Sequence, residues 1–127
     1  MVRFSIIILI HTFADYFFQG EKLRRLKAFK LPYLLEHILI YSLVLFIFCP
    51  YLLHITVYQS FLYSLINGFF HFVVDFFTRI YKKVYWHVDE DKYNFVVGLD
   101  VLLHIIILMI TFYLLIPDGF NAPYFID

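Results

Sequence analysis

HFVVDFFTR, residues 71–79, holds a histidine and an aspartate four residues apart inside a run of phenylalanine and valine. A four-residue step on an α-helix returns to nearly the same face, so His71 and Asp75 form one polar spot on an apolar cylinder. HTFADYFFQ (11–19) repeats the pattern with His11 and Asp15, and DVLLH (100–104) carries it reversed, as Asp100 and His104. A further apolar run, LLEHILIY (34–41), contains His37. Ionisable groups inside apolar segments are costly, and by default they mark a functional site.

These runs belong to a 127-residue chain that is 63% hydrophobic and 23% aromatic, with a mean hydropathy of +0.81. Its 17 Phe and 11 Tyr exceed what one small soluble core buries, so lipid is the expected solvent for many of them. Four spans are predicted, at about 3–20, 32–54, 57–81 and 93–116. The first is short against the roughly 20 residues that a 30 Å hydrocarbon layer requires, which local thinning or packing on longer neighbours accommodates. The expected fold is all-α, a four-helix transmembrane bundle forming a single domain over residues 1–127. Pro32 suits the first turn of the second helix, Pro50 is expected to end or bend it, and Pro117-Asp118-Gly119 to end the fourth. The run FSIIILI (4–10) lacks a small-residue cleavage site after it and reads as a retained helix. The single Cys49 supports neither an internal disulfide nor a CxxC metal motif.

All the basic residues except Arg3 lie in two segments: Lys22, Arg24, Arg25, Lys27 and Lys30, then Arg79, Lys82, Lys83 and Lys92. Basic stretches flanking apolar runs read as cytoplasmic loops, not as a nucleic-acid surface. Both loops are therefore expected in the cytoplasm, and both termini and the 50–57 turn outside, in a protein integral to the plasma (inner) membrane. Leu23, Leu26 and Phe29 recur at helical spacing among the basic residues, which suggests a short helix on the anionic membrane surface. HTFADYFFQ and HFVVDFFTR align without gaps, and each precedes a basic turn and a further His-bearing helix. That arrangement predicts two similar helical hairpins in the same orientation.

With this topology the first and third helices descend and the fourth ascends, so the reversed order of Asp100 and His104 matters. It puts all three aspartates nearer the cytoplasm and all three histidines deeper, with His37 at similar depth. A histidine layer over an aspartate layer is predicted, with His37 at its edge. Neutral imidazole with carboxylate suits Zn²⁺ first, with Mn²⁺ and Fe²⁺ as alternatives. The candidate metal ligands are His11, Asp15, His37, His71, Asp75, Asp100 and His104, enough for one ion with supporting residues or for two. Gln19 and Arg79 continue two of the polar faces to the boundary and are candidate substrate contacts, Arg79 for a phosphate or carboxylate or as a neutraliser of Asp75. Asn67 is placed to orient His71, and Glu36 is an extra ligand candidate weakened by its 100° offset from His37. His54, His87 and the Asp89-Glu90-Asp91 run read as solvated, the last pairing with Lys82 and Lys83.

HTFADYFFQ, HILIYSL (37–43), NGFFHFVVDFFTR (67–79) and GLDVLLH (98–104) resemble the signature segments of a bacterial and phage family of small integral membrane proteins whose function is unknown. The resemblance covers residues 5–112. It implies a four-helix membrane protein with His11, Asp15, Gln19, His37, His71, Asp75, Asp100 and His104 as its signature positions. The family's last segment reads Asp-Gln where this chain has Asp100-Val101. The pattern is also distantly similar to membrane-bound metal-dependent hydrolases.

Three functions compete, beside a purely structural hydrogen-bond network. An intramembrane metal-dependent hydrolase would use a divalent ion to lower the pKa of water and Asp15 or Asp75 as general base. At headgroup depth its substrate would be a lipid or a lipid-linked phosphate or amide. A divalent-metal or proton relay is the runner-up, opposed by the apolar outer halves of the second and fourth helices. A haem-binding electron carrier with two axial histidines is third, opposed by the carboxylate beside each imidazole. The structural network gains about 0.6–2 kcal/mol per polar contact against roughly 2.5–3.5 kcal/mol for inserting each central Asp, so it is the weaker account of the pairs. The topology is testable: single cysteines introduced in the 20–31 loop should be labelled only from the cytoplasm, and one at the C-terminus only from outside. A C-terminus labelled from the cytoplasm would remove the layer argument as well.

Overall fold

The computed structural model describes residues 2–17, 26–27 and 29–116, and every regular element among them is helical. The helices are α1 (Val2–Tyr16), α2 (Leu31–Leu53), α3 (Val57–Tyr85) and α4 (Glu90–Leu115). The last three, of 23, 29 and 26 residues, are long and apolar enough to cross a membrane. α1, at 15 residues, falls short of the roughly 20 needed. α2 packs on both α1 and α3, α3 also packs on α4, and α1 meets α4 more sparingly.

Local chemistry sets the boundaries. Pro32 lies in the first turn of α2, where a missing N–H costs nothing. His54 ends α2 in a left-handed conformation (φ 52°), and Thr56 starts α3 with a capping box: its Oγ1 accepts from the Gln59 N–H at 3.1 Å while Gln59 Oε1 accepts from the Thr56 N–H at 3.0 Å. So tight a connection forces α3 to return antiparallel to α2. The acidic run expected as a solvated loop instead starts α4. Asp89 caps it by accepting from the Lys92 N–H at 3.0 Å, which holds its carboxyl below the usual range, and Glu90 and Asp91 occupy the first turn, where they favour the helix dipole. Asp89 pairs with Lys92 at 2.9 Å, not with Lys82 or Lys83. α3 accordingly runs four residues past its predicted end, and α4 begins three residues early.

Pro50 does not end α2. It lacks the N–H that would bond the Phe46 carbonyl one turn back, and Ser60 Oγ from α3 donates to that carbonyl at 2.9 Å instead. The defect becomes a tie between helices. A second device lies a few turns along the same interface, where a Cβ on Gly68 would collide with Ser42 Oγ. Glycine there lets α2 and α3 approach closely, three residues before His71.

The interior divides along the bundle axis. Toward the 54–56 turn it is apolar, with Ile7, Leu45, Cys49, Leu53 and Phe112 at 0% exposure. Toward the other end it is polar: the buried face of α3 carries Asn67, His71, Asp75 and Thr78. Outward faces are largely apolar, as at Leu39, Leu65, Phe69 and Leu114. Gln19, Leu23 and Pro117-Asp118-Gly119 lie outside the described residues. Leu26 and Phe29 form a turn strapped to the end of α3, with Lys83 Nζ donating to the Phe29 carbonyl at 2.9 Å.

Two substitutions test this packing. Ser60→Ala leaves the Phe46 carbonyl without a donor and should destabilise the protein by about 1–3 kcal/mol in a denaturation titration. Gly68→Val should cost about 1–3 kcal/mol from overpacking and also weaken cation binding, because it spreads the helices that carry His37 and His71.

Candidate metal centre

Close approach of α2 and α3 brings His37 Nε2 and His71 Nε2 to 2.9 Å, with both rings buried. Each nitrogen also faces two carboxylates. Asp15 Oδ1 lies 3.3 Å from His37 Nε2 and 3.8 Å from His71 Nε2; Asp75 Oδ2 lies at 3.4 and 3.5 Å. Ligand atoms about 2.0–2.1 Å from a tetrahedral Zn²⁺ stand about 3.3–3.4 Å from one another. The imidazole pair therefore completes a three-donor face with either aspartate, one from α1 and one from α3.

The other imidazoles pack around this pair. His104 lies 4.0 Å from His71, ring centre to ring centre, and His11 lies 5.6 Å from both. His11 Nδ1 meets the Tyr41 hydroxyl at 3.1 Å. His104 Nδ1 lies 2.7 Å from the Asp100 carbonyl oxygen, which can only accept, so the proton is on Nδ1 and Nε2 presents a lone pair. Among the described residues His104 Nε2, His71 Nδ1, His37 Nδ1 and Asp75 Oδ2 are buried without a hydrogen-bond partner. Buried orphans of this kind are uncommon and expensive, and a cation on the two Nε2 atoms would satisfy Asp75 Oδ2. Two groups have donor atoms within 4.8 Å of one another: Asp15 with His37 and His71, and His71 with Asp75 and His104. His71 belongs to both.

The predicted site residues thus divide. Asp15, His37, His71, Asp75 and His104 supply converging donor atoms. His37, expected at the edge, lies at the centre. His11 lines the cluster through Tyr41. The carboxylate of Asp100 turns to α3, accepting from Thr78 Oγ1 at 2.7 Å and Lys82 Nζ at 2.8 Å, and stays 3.9 Å from His104 Nδ1. Arg79 does not pair with Asp75; its guanidinium lies 4.5 Å over the Phe76 ring. Asn67 does not orient His71 but ties α3 to α4, donating to the Tyr63 carbonyl at 2.8 Å and accepting from Thr111 Oγ1 at 2.9 Å. Glu36 is exposed.

Four residues at the site carried no functional reading from sequence. Tyr41 is four residues after His37, and Thr78 and Lys82 are three and seven after Asp75, so helical spacing held the signal for these three. Lys27 has no periodic signal. Its ammonium lies 3.1 Å from both Asp15 Oδ1 and His37 Nε2 and 3.8 Å from Asp75 Oδ2. Burial would strip its proton, but Asp75 and Asp15 outweigh burial and hold its pKa above the ordinary lysine range. A cation belongs at this spot, and in this arrangement Lys27 provides it.

The fold and site define a helical protein with a buried His/Asp cluster able to hold a metal ion. The chain belongs to the family described as "Protein of unknown function (DUF3307)", matched over residues 4–127. No curated protein and no solved structure matches it.

If Lys27 stands where a metal ion would, removing its charge should strengthen metal binding. Lys27→Met should raise Zn²⁺ affinity by about tenfold or more in a chelator competition, since the carboxylates lose their resident counter-ion. A weakened affinity would mean that Lys27 supports the site instead of competing for it.

Proposed function

We propose that the protein is an integral membrane metal-dependent hydrolase that acts on a lipid or lipid-linked substrate at the cytoplasmic leaflet. The observation that carries this reading is the pair of three-donor faces sharing His37 and His71. One carboxylate can complete a three-ligand set that leaves a position open for water, as catalytic zinc sites do and closed structural sites do not, and the other stands close enough to serve as a base. Asp75 suits the ligand role, being more buried and more evenly spaced from the two imidazoles. Asp15 suits the base role: its side chain is 19% exposed against 6% for Asp75, and it makes the longest separation, 3.8 Å, to His71. His104, with its free Nε2, is a further ligand to the ion or to a second one. The divalent ion, Zn²⁺ first and Mn²⁺ or Fe²⁺ otherwise, would acidify water or polarise the scissile group.

Apolar outward faces on α2, α3 and α4 support placement in a bilayer, and the basic residues at the α1–α2 and α3–α4 connections support a cytoplasmic position for that end, with both termini outside. The two-hairpin symmetry gains support from His11/Asp15 and His71/Asp75 flanking one centre from two helices.

A metal or proton relay is the second reading. It is favoured by the buried polar groups above the histidines, Tyr41, Asn67 and Thr111. The apolar plug around Leu45, Cys49 and Phe112 opposes it.

Turnover separates the two. Asp15→Asn should abolish hydrolysis of lipid-phosphate or lipid-amide substrates in reconstituted vesicles, followed by mass spectrometry of the lipids, while metal content stays near wild type. Metal or proton flux in liposomes without turnover of any lipid extract would decide for the relay.

A further inference from the structure

Below the imidazoles the site opens on a small cleft lined by Lys27, Leu34, Asp75, Arg79 and Lys82. Three of these five side chains are cationic, and the one carboxylate belongs to the candidate metal site. Lys27 and Lys82 are already committed to carboxylates, through the 3.1 Å contact to Asp15 and the 2.8 Å contact to Asp100. Arg79 is not: half-buried at the mouth and stacked on Phe76, it makes no ion pair among the described residues. A guanidinium seated over an aromatic ring and outside any ion pair has N–H donors to offer a planar or tetrahedral oxyanion.

Charge balance gives the identity of that anion. Among the described residues and without metal, the carboxylates of Asp15, Asp75 and Asp100 match the cations Lys27, Arg79 and Lys82 in number. A divalent ion on the neutral imidazoles and the carboxylates leaves two positive charges in excess. Uncompensated charge in apolar surroundings is expensive, and a dianion removes the excess completely. Space points the same way. The cleft now has a volume of about 20 Å³, room for about one water molecule. Lys27 cannot keep its place 3.1 Å from His37 Nε2 once that nitrogen holds a divalent ion, because like charges at that range repel. Its withdrawal both widens the cleft and frees its donors.

We propose that Lys27, Arg79 and Lys82 form a subsite for a phosphate dianion, the terminal group of a phosphomonoester, and that the subsite fills only after the metal site. The inference rests on the metal-centre reading and names the substrate class of that site. Arg79 is the principal donor, Lys27 the donor released by metal, and Lys82 a donor held in place by Asp100 and Thr78.

The test uses the full chain in phosphatidylcholine nanodiscs, with zinc measured by elemental analysis and inorganic phosphate titrated by calorimetry. Zinc-loaded wild type should bind phosphate at least about tenfold more tightly than the zinc-free protein. Arg79→Gln should lose about tenfold in phosphate affinity with zinc content unchanged, which also establishes that the variant is folded, and Arg79→Lys should recover part of the loss. Phosphate binding equal in Arg79→Gln and wild type would mean that the anion sits on the metal alone, and would overturn the subsite. So would zinc-loaded protein that binds no phosphate. Wild type that retains no zinc would overturn the metal centre and this inference together. Two further arms identify the source of the phosphate group. Replacing part of the phosphatidylcholine by phosphatidate should weaken apparent phosphate binding if the substrate is a lipid headgroup. Competition by added glycerol phosphate alone assigns it to a soluble phosphomonoester.

Discussion

The cost of holding Asp15, Asp75, His37 and His71 together away from water governs the rest of this structure. Two carboxylates facing the same pair of imidazole nitrogens repel each other unless something positive stands between them. Lys27 meets that need in the present arrangement, reaching in from the segment between α1 and α2 to within 3.1 Å of Asp15 and His37. A lysine tip provides charge but leaves Asp75 Oδ2 and His104 Nε2 without a hydrogen-bond partner. On our account that shortfall is what a metal ion makes good, and it is why a cluster built from costly residues serves function and not packing.

Several helix-packing features exist to deliver these side chains to one point. Gly68 removes the Cβ that would hold α2 away from α3, and the 2.9 Å approach of His37 to His71 follows one turn later. Ser60 takes up the carbonyl that Pro50 leaves free, so α2 stays helical to Leu53 and keeps its register against α3. Asn67 and Thr111 fix α4 against α3 at 2.9 Å, which sets the depth of His104. The apolar half of the interior, around Leu45 and Phe112, closes the end of the bundle away from the basic loops. The His/Asp cluster is thereby confined to the other end.

Much of this was legible in the sequence because helical periodicity and residue cost are both local properties. The four helices followed from the apolar runs, and the His/Asp spacing pointed to most of the side chains that lie together. The misreadings have physical causes. Asp89-Glu90-Asp91 looked like a loop because charge was weighed without its value at a helix N-terminus. Pro50, expected to end or bend the second helix, does not end it, because the donor that takes up the carbonyl it leaves, Ser60, comes from another helix. His37 looked peripheral because it has no aspartate on its own helix; its carboxylates come from α1 and α3. Lys27 was read as one of several surface cations, since nothing in a single sequence says which lysine of a basic loop turns inward. Asp100 fits the histidine–aspartate pattern, yet Lys82 and Thr78 take its carboxylate, a competition visible only once α3 and α4 are packed.

X-ray absorption at the zinc edge, on protein purified with Zn²⁺ and washed free of excess ion, addresses the central claim most directly. The account predicts a first shell of nitrogen and oxygen at about 2.0–2.1 Å, with the outer-shell scattering of at least two imidazoles, lost when His37 and His71 are both replaced by Ala. A shell of water oxygens without imidazole scattering, a sulfur contribution from Cys49, or no retained zinc would contradict it.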